Sequence, residues 1–287
     1  MVHSVTTVLL GTAQDGGYPQ VGCTADCCST VWSQPHLHRL PCALGLIDNQ
    51  KKQRWMIDCT PAFPQQWNRL NSVSPPEWGL SGIFLTHAHM GHYTGLLQLG
   101  KEVWANQSLS VFAMPRMIQF LNNNAPWSDL IQHGHIQLVP LTNHSPVKLS
   151  AELSLTPIQV PHRDEHSETV GFLIEANGQK AIYISDIDHW NDGPLDILSK
   201  IQHCDIAWLD GTFYSMAELP NRNRADIPHP TVLDSMAKFA ALEDSEKSKI
   251  HFFHLNHSNP MLQKDSMERD KVIHSGFKIA HEMDQWP

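Results

Sequence analysis

No stretch of this 287-residue chain approaches the ~20 consecutive apolar residues needed to cross a bilayer. Its opening, Met1-Val-His-Ser-Val5, lacks the basic start and long apolar centre of a secretory leader. Charge is sparse, with 17% of residues charged and a net charge of −9. Nucleic acid and anionic lipid both require a basic surface. The densest basic runs, Lys51-Lys52-Gln53-Arg54 and Asn221-Arg222-Asn223-Arg224, are short and read as solvated loops. Neither nucleic acid nor membrane is therefore expected as a partner. Cysteine is scarce at six, and the adjacent pair Cys27-Cys28 suits a disulfide framework poorly in a chain this long. A reducing, cytoplasmic setting is expected. With no repeat, low-complexity tract or linker, the chain reads as one domain over 1–287, and nothing in it bears on oligomeric state.

Apolar residues are plentiful at 41%, enough for a large core. Strand-like runs recur at 6–10, 43–47, 55–57, 82–85, 110–113, 136–139, 153–160, 170–174, 181–184, 206–209 and 250–255. Helical stretches lie between them at 63–70, 92–98, 115–122, 194–201, 230–242 and 267–274. Pro115, Pro194 and Pro230 are read as first-turn prolines. The interleaving predicts a mixed α/β fold of packed sheets.

Histidine is also plentiful, at 19 residues. His87, His89 and His92 fall within six residues, directly after the apolar run Ile83-Phe84-Leu85. Imidazole is the commonest protein metal ligand, and a rigid strand end aims three of them into one loop. The Gly91-His92 junction reads as the turn into the following helix. The pairs His36/His38 and His133/His135 share the short spacing but lack such a strand, and they are read as structural. Other strands also end in potential ligands: His162 follows the run to Val160, Asp186 follows Ile184, and His254 follows Phe253, with His257 competing for the last role. Functional side chains of α/β proteins gather along such a sheet edge.

Thr86-His-Ala-His-Met-Gly-His92 resembles the His-x-His-x-Asp-His loop of the metallo-β-lactamase superfamily. The later His, Asp and His of that superfamily find counterparts at His162, Asp186 and His254. Gly11-Thr-Ala-Gln-Asp-Gly-Gly-Tyr-Pro-Gln20 and Asn256-His-Ser-Asn-Pro260 resemble more narrowly its pyrroloquinoline-quinone biosynthesis protein B branch. The resemblance implies a four-layer αββα sandwich. It also implies one metal on His87, His89 and His162, bridged by Asp186 to a second on His92 and His254. Zinc is the first expectation, with iron or manganese as alternatives.

The loop departs from that pattern at Gly91, which stands where the superfamily has aspartate. The second site is then one carboxylate short. Asp188 and Asp164 are the candidate replacements, or else outer-shell partners of the histidines. Cys23, Cys27 and Cys28 lie where relatives in the branch carry a Cys-x-Cys-x-x-Cys structural zinc knuckle, but Ala25 occupies its middle position. Four closed ligands would need Cys27 and a distant residue. Cys42, Cys59 and Cys204 lie in or beside apolar runs and read as core. Tyr93, Trp190, Phe213 and Tyr214 are candidate pocket walls.

The expected chemistry is metal-assisted hydrolysis of an ester, amide, thioester or phosphodiester in a small molecule. Metal lowers the pKa of bound water from ~15.7 toward ~7. Asp186 anchors metal and nucleophile, with His229, His257 or Asp188 moving the proton. Two histidines and a carboxylate also describe non-haem iron oxygenases, and a non-catalytic metal-binding relative is the third reading.

Overall fold

The structure is a computed structural model describing residues 4–190, 195–220, 222–224 and 227–287. Pro194 and Asn221 lie outside the described residues. The strands are β1 (Val5–Gly11), β2 (Ala43–Asp48), β3 (Gln53–Ile57), β4 (Gly82–Phe84), β5 (Leu109–Ala113), β6 (Ile136–Pro140) and β7 (Val147–Lys148). They continue with β8 (Leu153–Gln159), β9 (Val170–Ala176), β10 (Gln179–Ile184), β11 (Ile206–Asp210), β12 (Ile250–Phe253), β13 (Lys278–Ile279) and β14 (Gln285–Trp286). The helices are α1 (Asp26–Ser29), α2 (Phe63–Val73), α3 (Met90–Tyr93), α4 (Pro115–Asn123), α5 (Trp127–Gln132), α6 (Ile197–Gln202), α7 (Val232–Lys238), α8 (Asp244–Lys247) and α9 (Met267–His274).

Two seven-stranded sheets form, in the orders β14-β1-β2-β3-β4-β5-β6 and β7-β8-β9-β10-β11-β12-β13. In the first, β14 through β3 pair antiparallel and β3 through β6 parallel. The second repeats the plan: β7 through β10 are antiparallel and β10 through β13 parallel. The two halves thus share a strand plan although the sequence carries no repeat.

Alternation along the strands builds the layers. Leu44 and Leu46 of β2 face one apolar cluster with Phe172 and Ile174 of β9, which fills the space between the sheets. Ala43 and Ile47 point the other way and pack with Phe63 and Leu70 of α2 and Met117 and Leu121 of α4. On the far side, Ile182 and Ile184 of β10 pack with Ile197 and Ile201 of α6 and Val272 of α9. Three apolar layers therefore separate four structural ones, giving the expected αββα sandwich. Strands buried on both faces read as continuous apolar runs.

Local corrections have physical causes. The segment around Gly91 is already helical: His89 is the extended cap and α3 starts at Met90, continuing as a 3-10 turn over Thr94–Leu99. Pro115 does open α4, whereas Pro230 precedes the Thr231 cap of α7, where Thr231 and Asp234 form a reciprocal capping box. Arg54 is not solvated but fully buried. Its guanidinium donates to the carbonyls of Gly79 and Pro76 and to Asn71 and Ser74, and it lies 4.3 Å from the Trp67 ring. Among the described residues, no helix is long and apolar enough to cross a membrane.

Candidate metal centre

Loops leaving strand ends of both sheets meet at one buried cluster. From the first sheet come His87, His89 and His92, after β4; from the second come His162 after β8, Asp186 after β10 and His254 after β12. His87, His89, His162 and Asp186 each offer a ligand atom within 4.8 Å of the others. The His162 Nε2 lies 3.3 Å from His89 Nδ1 and 3.7 Å from one Asp186 oxygen, Oδ1. The other oxygen, Oδ2, lies 3.4 Å from His92 Nε2 and 3.6 Å from His254 Nε2. Asp186 therefore stands between two sets of nitrogens. Its carboxyl is held well below the usual range, burial being outweighed by the imidazoles of His254, His87, His92 and His162.

The outer hydrogen bonds fix which nitrogen faces inward. Thr86 Oγ1 donates to Asp58 (2.9 Å), so it can only accept from His87 Nδ1–H (3.0 Å), and His92 Nδ1–H donates to Asp58 Oδ2 (2.7 Å). The second half repeats this. Thr212 Oγ1 donates to Asp210 (2.7 Å) and accepts from His254 Nδ1–H (2.9 Å), and His229 Nδ1–H donates to Asp210 Oδ2 (2.7 Å). His162 Nδ1–H donates to Asp188 (3.0 Å). Each ring keeps Nε2 for the interior, the arrangement in which outer partners set tautomer and orientation of metal-binding histidines. Asp58 (φ 65°) and His254 (φ 59°) both adopt the left-handed backbone region. That costs of the order of 1–3 kcal/mol each and persists where surrounding bonds hold it.

Three atoms of the cluster, His87 Nε2, Asp186 Oδ2 and His254 Nε2, are buried without a hydrogen-bond partner. Such orphaned groups call for an explanation, and an ion is one. Burial drives His87 well below the ordinary imidazole range and lowers His89 to about 4, so both are neutral donors at pH 7. The donor set fits a transition metal.

Asp188 orients His162 and Asp164 pairs with Arg116 (3.2 Å), so neither stands beside His92 and His254. Asp15 occupies that side of the cluster instead, its Oδ1 3.1 Å from His92 Nε2 and 3.8 Å from His254 Nε2. Burial would raise its pKa, yet the neighbouring imidazoles of His254 and His92 hold it far below the carboxylate range. Asp15, Asp58, Asp210, Thr86 and Thr212 were not anticipated. The strand-end rule would have found Asp58 and Asp210, which close Ile57 and Leu209. Cys42 also lies here, its thiol within 4.8 Å of nitrogens of His92 and His254.

A cavity of about 310 Å³ opens over the cluster. Asp15, His89, Asp186 and His229 line it, and Phe213 with Arg163 and Arg222 forms part of its wall. Tyr93, Trp190 and Tyr214 are core residues rather than wall. His38 and His135 bond backbone carbonyls, as structural histidines do.

His257 is not brought to this cluster. It joins Cys23, Cys27 and Cys28, its Nδ1 3.4 Å from Cys28 Sγ and 3.6 Å from Cys27 Sγ, with Cys23 and Cys27 sulfurs 3.7 Å apart. Tetrahedral zinc at ~2.3 Å from sulfur places its ligands ~3.8 Å apart. His257 thus stands fourth beside the three cysteine sulfurs, away from the histidine cluster. Burial and the neighbouring thiols push Cys27 up to about 12.

A beta-lactamase superfamily domain profile matches residues 53–254, most of the chain. The chain belongs to that superfamily. It is 26% identical to coenzyme PQQ synthesis protein B of Methylorubrum extorquens (strain AM1), over 96% of this chain and 97% of that one. Zn(2+)-bound PqqB from Methylobacterium extorquens shares its fold with a TM-score of 0.83 and 22% identity, covering 98% of this chain and 99% of that one. A diphosphatase of the PhnP family also shares the fold, with TM-score 0.71 and 21% identity over 99% and 97%.

Proposed function

We propose that the chain is a metal-dependent hydrolase acting on an ester, amide, thioester or phosphodiester group of a small molecule. The observation that carries this is Asp186, set between two groups of inward-facing nitrogens at the floor of a cavity, with His229 fixed beside them. His87, His89 and His162 would hold one ion and His92 and His254 another, with Asp186 between. When bound, the metal polarises the substrate oxygen and makes water nucleophilic at neutral pH. Imidazole-rich donors favour zinc, with iron and manganese as competitors.

The chain's own groups divide the remaining work. Asp210 ties up His229 Nδ1–H, leaving Nε2 as the nitrogen that can take the proton released by the attacking water and pass it to the leaving group. Asp188 holds His162 in register rather than moving protons itself. Arg163 and Arg222 give the wall a positive side suited to an anionic substrate. The cysteine cluster, closed by four ligands, serves as a structural zinc site. Six free thiols accord with a reducing, cytoplasmic setting.

The test is turnover of a panel of phosphodiesters, esters, lactones and thioesters by protein loaded with zinc, manganese or ferrous iron. At least one substrate should turn over, and His87→Ala should abolish both turnover and bound metal at the histidine cluster. A fully loaded protein inert toward the whole panel contradicts hydrolysis and leaves a metal-binding protein. Likeness to a cofactor-synthesis protein supports a second reading, iron-dependent oxygen chemistry. Anaerobic purification with elemental analysis separates the two, because zinc alone rules out redox turnover.

A further inference from the structure

The histidine loop lacks its carboxylate, yet a carboxylate stands where that residue's side chain would go. A Cβ built on Gly91 would lie 2.4 Å from Asp15 Oδ1, 2.5 Å from Asp15 Cα and 2.6 Å from Asp15 Cγ. Backbone contacts that close cannot be relieved by turning a side chain. Asp15 and any side chain at 91 are therefore exclusive occupants of one volume. Gly91 lies inside α3 and not at a turn, so room rather than backbone freedom is what glycine provides there.

The loop that carries Asp15 is clamped in place. Gln14 N–H donates to the Leu255 carbonyl (3.0 Å), Leu255 N–H donates to the Thr12 carbonyl (3.0 Å), and Cys42 N–H donates to the Ala13 carbonyl (2.8 Å). Leu255 directly follows His254, so the loop is registered against a candidate ligand. Four donors stand together there: Asp15 Oδ1, Asp186 Oδ2, His92 Nε2 and His254 Nε2. The separations between carboxylate oxygen and nitrogen are 3.1, 3.4, 3.6 and 3.8 Å. Tetrahedral ligands ~2.0–2.2 Å from zinc stand ~3.3–3.6 Å apart. His254 Nε2 and Asp186 Oδ2 are buried without hydrogen-bond partners.

We infer that Asp15 supplies the carboxylate of a second metal site with His92, His254 and Asp186, and that glycine at 91 is the space this relocated ligand requires. The inference rests on the reading that the histidine cluster binds metal. It predicts a full second site, where the loop sequence alone implies a depleted one.

The test counts zinc per chain by elemental analysis after dialysis, with affinities from chelator competition. Asp15→Ala should hold one zinc fewer than wild type, or bind one zinc roughly 100-fold or more weakly. Zinc retained at the cysteine cluster reports that the variant is folded. Should the alanine variant fail to fold, Asp15→Asn keeps the volume and is expected to show the same loss. Gly91→Asp alone should also lose zinc or fold poorly, because it collides with Asp15. The double variant Asp15→Gly/Gly91→Asp removes the carboxylate contacts but keeps the residue-15 Cα 2.5 Å from the new Cβ, so it should stay below the wild-type count. Unchanged count and affinity in a folded Asp15→Ala protein overturn the assignment. A folded Gly91→Asp protein with the wild-type count and affinity overturns the claim that glycine at 91 is required space. Wild-type protein with zinc at the cysteines alone would instead refute the metal reading beneath both.

Discussion

In the first half of the chain, buried Asp58 follows β3, accepts from Thr86 and from His92, and Thr86 in turn accepts from His87. In the second, buried Asp210 ends β11, accepts from Thr212 and from His229, and Thr212 accepts from His254. Each half thus builds an aspartate–threonine clamp that holds two imidazoles by Nδ1. The halves differ in what they hold. Both histidines of the first clamp point into the donor cluster, whereas the second clamp sends His254 into it and keeps His229 on the cavity wall. One strand plan used twice yields two cluster histidines on one side and, on the other, one cluster histidine and one on the cavity wall. Under the proposed function the same outer shell serves binding on one side and chemistry on the other, according to where the second ring lies.

The largest expected effect comes from removing what joins the halves. Asp186→Ala should reduce activity to background and leave only the cysteine cluster loaded, measured by turnover with elemental analysis. Next come the clamps themselves. Asp58→Asn should weaken zinc binding ~10–100-fold, as loss of an outer partner typically does, read by chelator competition. Asp210→Asn should lower kcat by ~10²-fold or more, the usual worth of positioned proton transfer, read from turnover kinetics. Zinc on His87, His89 and His162 should be unaffected. Equal losses of zinc in both variants would erase the distinction between the clamps.

Cys28→Ser offers a contrast outside both halves' strand ends. It should release the zinc of the cysteine cluster and lower Tm, while the histidine cluster stays loaded. The smallest effect concerns acid stability. β5, the first half's counterpart of β12, has no titratable side chain, but β12 carries His251, lowered to about 4 by burial, with Lys278 and His281 adding to it. The unfolded chain takes up a proton near pH 6.5 that the folded one refuses until about 4. Stability from this group is whole above pH 6.5 and falls as pH drops from about 6.5 to about 4. His251→Gln should flatten that fall by roughly 1–2 kcal/mol, allowing for partial exposure, measured by urea unfolding at pH 7 and pH 5.

The strands that line the sandwich were legible because both their faces are apolar. The runs at 43–47 and 206–209 needed no alternation with polar residues to be recognised. Two-residue edges such as β7 and β13 carry no such signal. His87, His89 and His92 announced themselves by crowding after a strand. Asp15 did not, because its partners lie on other loops. Gly91 marked the gap, but only space shows that the gap is already filled. His254 and His257 could not be separated by spacing; the chain turns between them, sending one ring to the histidines and the other to the cysteines.

The most direct test of the account is a crystal structure of zinc-loaded protein with anomalous scattering recorded at the zinc edge. The account predicts two peaks flanking Asp186, one among His87, His89 and His162 and one among His92, His254 and Asp15. Peaks confined to the cysteine cluster, with none beside Asp186, would contradict it.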